Sequence, residues 1–140
     1  MITLQQIQTE KMLSAALDFC YPILGHEDHE IYCRSAWLER FRSGNQPLVC
    51  AVQDGQIIAA VLGRSENSES LILGFAACRE DYRRQGITSR LIAMFEMLAK
   101  DMDYRTITLG SRTNGFYEKC GYRLLIHTEE QNIYQKTLDA

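Results

Sequence analysis

Leu71-Ile-Leu-Gly-Phe-Ala-Ala-Cys78, then Arg79-Glu80-Asp81-Tyr82, then Arg83-Arg84-Gln85-Gly86-Ile87-Thr88, is the stretch around which the chain is organised. The first part is a short apolar run rich in Leu, Ile and Phe, the composition of a strand. Arg, Gln and Gly crowd the turn that follows. From Ser89 the period changes. Leu91, Ile92, Phe95, Leu98, Ala99 and Met102 recur at i, i+1, i+4, i+7, i+8 and i+11, which is one face of a helix predicted over Ser89–Asp101.

A strand, a basic glycine turn and a helix form an arrangement suited to phosphate. The first backbone N–H groups of a helix have no partner inside it and carry partial positive charge, so an anion placed there satisfies them. Gly86 lets backbone approach a ligand with no Cβ in the way. Arg83 and Arg84 bring guanidinium donors suited to phosphate oxygens. The same residues would also make an ordinary surface turn with solvated arginines.

Arg83-Arg84-Gln85-Gly86-Ile87-Thr88 resembles the Arg/Gln-x-x-Gly-x-Gly/Ala signature of the GCN5-related N-acetyltransferases. Downstream, Gly115-Phe116-Tyr117-Glu118-Lys119-Cys120-Gly121-Tyr122 resembles that family's Phe/Leu-Tyr-Glu-Lys-x-Gly-Phe segment. The order of the two motifs is more specific than either alone. The resemblance implies acetyl-CoA as cosubstrate, with its pyrophosphate at Arg83, Arg84, Gln85, Gly86, Ile87, Thr88 and Ser89. One departure is Thr88, where the family usually has Gly or Ala. Its hydroxyl would add a bond or cap the helix, or its β-branch would crowd the turn.

The resemblance also implies site residues. The strand before the glycine turn splays from its neighbour in that family, and its free amides bind the pantetheine arm. Carried over, Ala76 and Cys78 offer backbone groups, with the Cys78 N–H as oxyanion donor. The Cys78 thiol itself reads as a buried small side chain. Tyr117 matches the tyrosine that acts as general acid toward the leaving sulfur and also contacts the cofactor. Asn114 resembles an asparagine that contacts coenzyme A, although it lies only three residues before Tyr117. Glu80 is the carboxylate candidate for a base. The acidic run Glu27, Asp28, His29 and Glu30, with Tyr32 beyond it, is placed to flank an acceptor cleft; such runs are also ordinary solvated loops. Trp37 reads as core by its spacing.

A chain of 140 residues fits one domain, 1–140, with a sizeable core. The net charge of −3, from 15 basic and 18 acidic residues, argues against a nucleic-acid partner held by a basic face. The five cysteines are odd in number and form no Cys-x-x-Cys pair, so neither a disulfide framework nor a metal site is suggested. No apolar run approaches membrane length and no signal-like start is seen, so a cytoplasmic protein without a membrane partner is expected.

Along the chain, Met1–Ile7 reads as a first strand. Thr9 caps a helix through Tyr21, ended by Pro22 and Gly25. A second helix spans about Ile31–Arg42. Leu48–Val52 and Ile57–Leu62 form a hairpin around Asp54-Gly55. The strand from Ser70 and the helix after it are followed by a strand over Arg105–Leu109. A short helix at Gly115–Lys119 and strands at Tyr122–Ile126 and Asn132–Leu138 complete the chain. The resulting order, β-α-α-β-β-β-α-β-α-β-β, predicts an α/β (α+β) fold with a mixed sheet covered by helices. The resemblance implies the same order, with a mostly antiparallel sheet. An exposed edge in the last two strands would offer a homodimer contact.

Two functions of different class follow. One is an N-acetyltransferase acting on a primary amine of a small molecule or peptide by direct attack in a ternary complex. The other is a non-catalytic acyl-CoA-binding or regulatory module on the same fold. A nucleotide-binding protein is a more remote third, weakened by the absence of a Gly-x-x-x-x-Gly-Lys-Ser/Thr loop.

Overall fold

The structure is a computed structural model describing residues 1–113 and 115–138. Its elements are β1 (Thr3–Gln6), α1 (Glu10–Leu24), α2 (Arg34–Ser43), β2 (Leu48–Gln53), β3 (Gln56–Ser65), β4 (Ser70–Cys78), α3 (Ile87–Asp101), β5 (Thr106–Ser111), α4 (Phe116–Lys119), β6 (Arg123–His127) and β7 (Asn132–Thr137), with a 3-10 turn at Glu80–Tyr82. This is the order expected from the sequence. The seven strands form one sheet in the order β1-β2-β3-β4-β5-β7-β6, antiparallel except for β4 beside β5.

The sheet separates two apolar layers. On one face Ile87, Leu91, Ile92, Phe95 and Ala99 of α3 pack against Val49, Val61, Leu71 and Ile107. On the other, Leu13, Ala16, Leu17 and Cys20 of α1 and Trp37 of α2 pack against Cys50, Leu62 and Phe75. Trp37 is fully buried and is core, as its spacing implied.

Local chemistry explains several element ends. The Thr9 hydroxyl accepts the Met12 N–H at 3.1 Å and caps α1. Asp54 and Gly55 both take positive φ, 52° and 76°, as a tight hairpin turn requires. Three helix boundaries differ from the sequence reading by two residues or more, and β3 runs past Leu62 to Ser65. α1 continues through Pro22 to Leu24. A proline this late removes only one helical bond, and the Gly25 N–H closes the last turn on the Tyr21 carbonyl at 2.8 Å. α2 begins only at Arg34, because residues 26–33 form successive turns in which His29, Tyr32 and Cys33 donate to carbonyls at 26 and 29. α3 begins at Ile87, two residues before Ser89, and its N-cap is Gly86 rather than Thr88.

β4 carries the feature that positions the site. Opposite Leu62 and Gly63 of β3 lie Phe75 and Leu73, so Gly74 is skipped as a bulge. A Cβ at Gly74 would lie 3.1 Å from both the Trp37 and Tyr32 rings. The bulge changes which residues face each layer. Leu71 and Leu73 face α3, but after Gly74 it is Ala76 and Cys78 that face α3 while Phe75 and Ala77 face α1. On its other side β4 pairs with β5 only from Ser70 to Ile72, and the two strands then part.

Candidate active site

The parting of β4 and β5 leaves backbone groups free. Arg79 N–H donates across β3 to the Ile58 carbonyl at 2.8 Å. Successive amides of a strand point to opposite edges, so those of Cys78 and Ala76 point into the gap, where β5 no longer pairs with them. These are the two residues the sequence singled out for backbone contacts. The Cys78 side chain is buried, with its thiol directed to the Arg79 carbonyl at 3.5 Å.

A cleft of about 610 Å³ opens at this gap, lined by Ala76, Ala77 and Cys78 of β4, by Tyr82, Arg83, Arg84, Gly86, Ile87, Thr88 and Ser89 of the turn and first turn of α3, by Ile23 and Leu24 at the end of α1, and by Thr113, Phe116 and Tyr117. Gly86 takes φ 77°, and its Cβ position has no atom within 4 Å, so the backbone there lies open toward the cleft. Arg84 also takes a positive φ, 66°. The N–H groups of Ile87, Thr88 and Ser89 are the first of α3, where a helix has no internal acceptors. The Thr88 side chain makes no cap bond; it is half-buried in the cleft wall.

The arginines of the turn have separate tasks. Arg79 is held by both oxygens of Asp81 at 2.7 and 2.6 Å, which lowers the Asp81 carboxyl below its usual range. Arg83 and Arg84 therefore supply the positive charge of the cleft. Gln85 is exposed and does not line the cleft; its Nε2 donates to the Asp81 carbonyl at 3.4 Å and closes the turn.

Tyr117 lies in α4, whose start is fixed by the Gly115 N–H donating to Glu118 Oε1 at 3.1 Å. Its ring packs against Phe116, Tyr122 and Tyr134, with centroids 5.0, 5.8 and 5.9 Å away. Burial, and secondarily Cys120, pushes the phenol up to about 12. Asn114 lies outside the described residues.

Other candidates are placed apart from this cleft. Glu80 is exposed in the 3-10 turn and is not among the lining residues. Glu27, Asp28 and His29 line a separate cavity of about 640 Å³ with Asp18, Tyr21, Pro22, Gly25, His26 and Arg34. The two cavities lie on either side of the end of α1, with Ile23 and Leu24 lining one and Pro22 and Gly25 the other. Arg34 bonds Asp18 at 2.5 Å and approaches Glu27 at 3.9 Å. Tyr32 lines neither cavity. Its ring packs against both Trp37 and Phe75, with centroids 6.0 and 5.1 Å away, and its hydroxyl accepts from Arg64 Nε at 3.2 Å. Tyr82, Phe116, Thr113, Ile23 and Leu24 had no role in the sequence reading. Their apolar or small side chains carry no local signal and converge only through the fold.

Among the described residues no group of three His, Cys, Asp or Glu side chains is arranged to hold a metal ion, and no helix is long and apolar enough to cross a membrane. The model of the acetyltransferase (GNAT) family matches residues 10–122, and the chain belongs to that family. No curated protein sequence matches it significantly. Among solved structures it is similar to an acetyltransferase of the GNAT family from Streptococcus pneumoniae (TM-score 0.78, 15% identity, 99% of this chain and 100% of that chain). It is also similar to a GNAT family acetyltransferase from Elizabethkingia anophelis with acetyl-CoA bound (TM-score 0.69, 16% identity, 98% of each chain). A third is the PaiA N-acetyltransferase from Thermoplasma acidophilum in complex with coenzyme A (TM-score 0.76, 14% identity, 98% of this chain and 99% of that chain).

Proposed function

We propose that the chain is an N-acetyltransferase that moves the acetyl group of acetyl-CoA to a primary amine of a small molecule or peptide, by direct attack in a ternary complex. The observation that carries this reading is the parting of β4 from β5 after Ile72, which leaves the Cys78 N–H facing a cleft that Tyr117 and the first turn of α3 also line. The residues present suit the cosubstrate. Arg83, Arg84 and the amides of Ile87, Thr88 and Ser89 are donors for pyrophosphate, and the open Gly86 backbone admits it. Ala76 and Cys78 offer strand amides to an amide-bearing arm.

Acetyl transfer needs a polarised thioester carbonyl, a neutral amine and a protonated leaving sulfur. The Cys78 N–H is the donor for the developing oxyanion, and one such donor contributes about 3 kcal/mol in a well-formed site. Tyr117 is the acid, since its buried phenol stays protonated at neutral pH. An alkylammonium with pKa ~10.4 is neutral only about once in a few thousand at pH 7. Glu27, Asp28 and His29, which line the cavity on the other side of the end of α1, would attract the cation and take its proton through water.

One observation favours the second reading, a non-catalytic acyl-CoA-binding or regulatory module. Among its described lining residues the cleft has no carboxylate or imidazole, and Glu80, the base candidate nearest in sequence, lies outside it. The test begins with thermal unfolding with acetyl-CoA beside ATP as a control anion. Ligand at a hundredfold its Kd stabilises by about 2.7 kcal/mol, a rise of several degrees. An amine panel read by free thiol release follows. Binding together with thiol release supports the enzyme, binding with no release for any amine supports the module, and no selective shift sinks both.

A further inference from the structure

We propose that Lys136 and Glu96 are positioning residues for Tyr117: their ion pair clamps the turn after α4 between α3 and β7 and so fixes the phenol at the cleft. The inference rests on the reading of Tyr117 as the acid.

α4 has only four residues, too few to be stable without tertiary support. Its support lies in the turn that follows. The Tyr117 carbonyl accepts the N–H of both Cys120 and Tyr122 at 3.0 Å, so displacing the turn displaces Tyr117. A side chain of β7 reaches the backbone of that turn from outside. Lys136 Nζ, projecting from β7, donates to the Cys120 carbonyl at 2.8 Å and to Glu96 Oε1 of α3 at 2.9 Å. It also lies 5.7 Å from the centroid of the Tyr122 ring, which itself packs on Tyr117.

The clamp is partly buried. The two side chains are 28% and 16% exposed, and Glu96 Oε2 and the Tyr122 hydroxyl are buried. An ion pair there is less screened than one at the surface, and removing either member leaves the other poorly compensated. Gly121 fits the same arrangement. It takes φ 93°, and a Cβ on it would come 3.2 Å from the Lys136 ammonium. The arrangement is therefore a cation reaching a carbonyl beside a glycine, and none of its members is among the residues that line the cleft.

The test compares Lys136→Met, Lys136→Arg and Glu96→Gln in the full chain, alone and combined with Tyr117→Phe. Lys136→Met is expected to lower kcat about tenfold while KM for acetyl-CoA changes less than twofold, and Lys136→Arg, which restores the cation, is expected to recover most of the loss. In the Tyr117→Phe background the same substitution is expected to cost nothing further in kcat. Should Lys136→Met not fold, Glu96→Gln, which keeps the size and an acceptor oxygen, gives the same comparison. A lower melting temperature with kcat unchanged, or losses that multiply in the double variant, overturns the proposal. If Tyr117→Phe by itself leaves kcat intact, the acid reading fails and the proposal with it. If Tyr117→Phe lowers kcat and Lys136→Met does not, only the positioning role fails.

Discussion

Arg83 donates through Nε to the carbonyl oxygen of Cys78 at 3.3 Å. The N–H and C=O of one strand residue share an edge, so this guanidinium sits at the same edge as the proposed oxyanion donor. The contact links the glycine turn to the end of β4 through one side chain, and that side chain also lines the cleft.

Arg83→Met is therefore expected to have two effects where Arg84→Met has one. Loss of a charge-assisted bond to phosphate costs about 1.5–3 kcal/mol, so both variants should weaken acetyl-CoA binding by roughly 10- to 100-fold in calorimetry. Only Arg83→Met should also lower kcat at saturating acetyl-CoA, because only it leaves the end of β4 untied. Equal kcat in the two variants would show that the bond to Cys78 does nothing for catalysis.

The two left-handed residues of the turn should respond in opposite directions. Gly86 at φ 77° has open space at its Cβ position, so Gly86→Ala in the free protein costs only backbone strain, about 1 kcal/mol or a few degrees in Tm. Arg84 bears that strain already at φ 66°, so Arg84→Gly should raise Tm by a similar amount while weakening acetyl-CoA binding. Scanning calorimetry of the two free proteins checks the sign of each.

The fold was legible in the sequence where period and turn chemistry agreed. The change from the Leu71–Cys78 run to the α3 stripe, the Asp54-Gly55 turn and the Thr9 cap all appear in the structure. The start of α3 was misread because Ile87 and Thr88 look like turn residues, whereas Gly86 in a left-handed conformation begins the helix there. α2 starts at Arg34 rather than near Ile31, because residues 26–33 are taken up in successive turns and the Tyr32 ring packs on Trp37 and Phe75. The cleft was legible from β4, the glycine turn and Tyr117. What sequence could not carry was the bulge at Gly74, which decides the faces of Ala76 and Cys78, and the Lys136–Glu96 contact between residues forty positions apart.

Trp37 tests the layer behind the site. It is fully buried against Phe75 and Tyr32 beside the bulge. Trp37→Ala should cost about 3–5 kcal/mol of stability, read from the urea midpoint with the slope unchanged. Trp37→Phe should cost much less and leave the acetyl-CoA affinity as it was. A mild loss in the alanine variant together with a changed amine preference would instead make Trp37 a wall of the acceptor site.

Tyr117 makes a prediction whose sign is fixed by burial. Its phenol is pushed from the ordinary value near 10 up to about 12, first by desolvation and then by Cys120. The folded chain thus holds a proton that the unfolded chain releases from pH ~10 upward. The corresponding stability is fully present below pH 10 and is lost as the pH rises through 12, by about 2 kcal/mol. Tyr117→Phe has no such proton. Its stability relative to the parent should therefore be constant up to pH 10 and move in the variant's favour by that amount at pH 12. Cys20 and Tyr21, raised by burial in the other layer, are common to both proteins and cancel in the difference. Activity should follow the same titration. The parent keeps its acid protonated, so Tyr117 contributes no alkaline fall in kcat between pH 8 and 10, while Tyr117→Phe runs about 10²-fold slower across that range. A kcat that falls with an apparent pKa near 10 in the parent, and loses that limb in the variant, would place the phenol in water rather than in the packed setting of Phe116, Tyr122 and Tyr134.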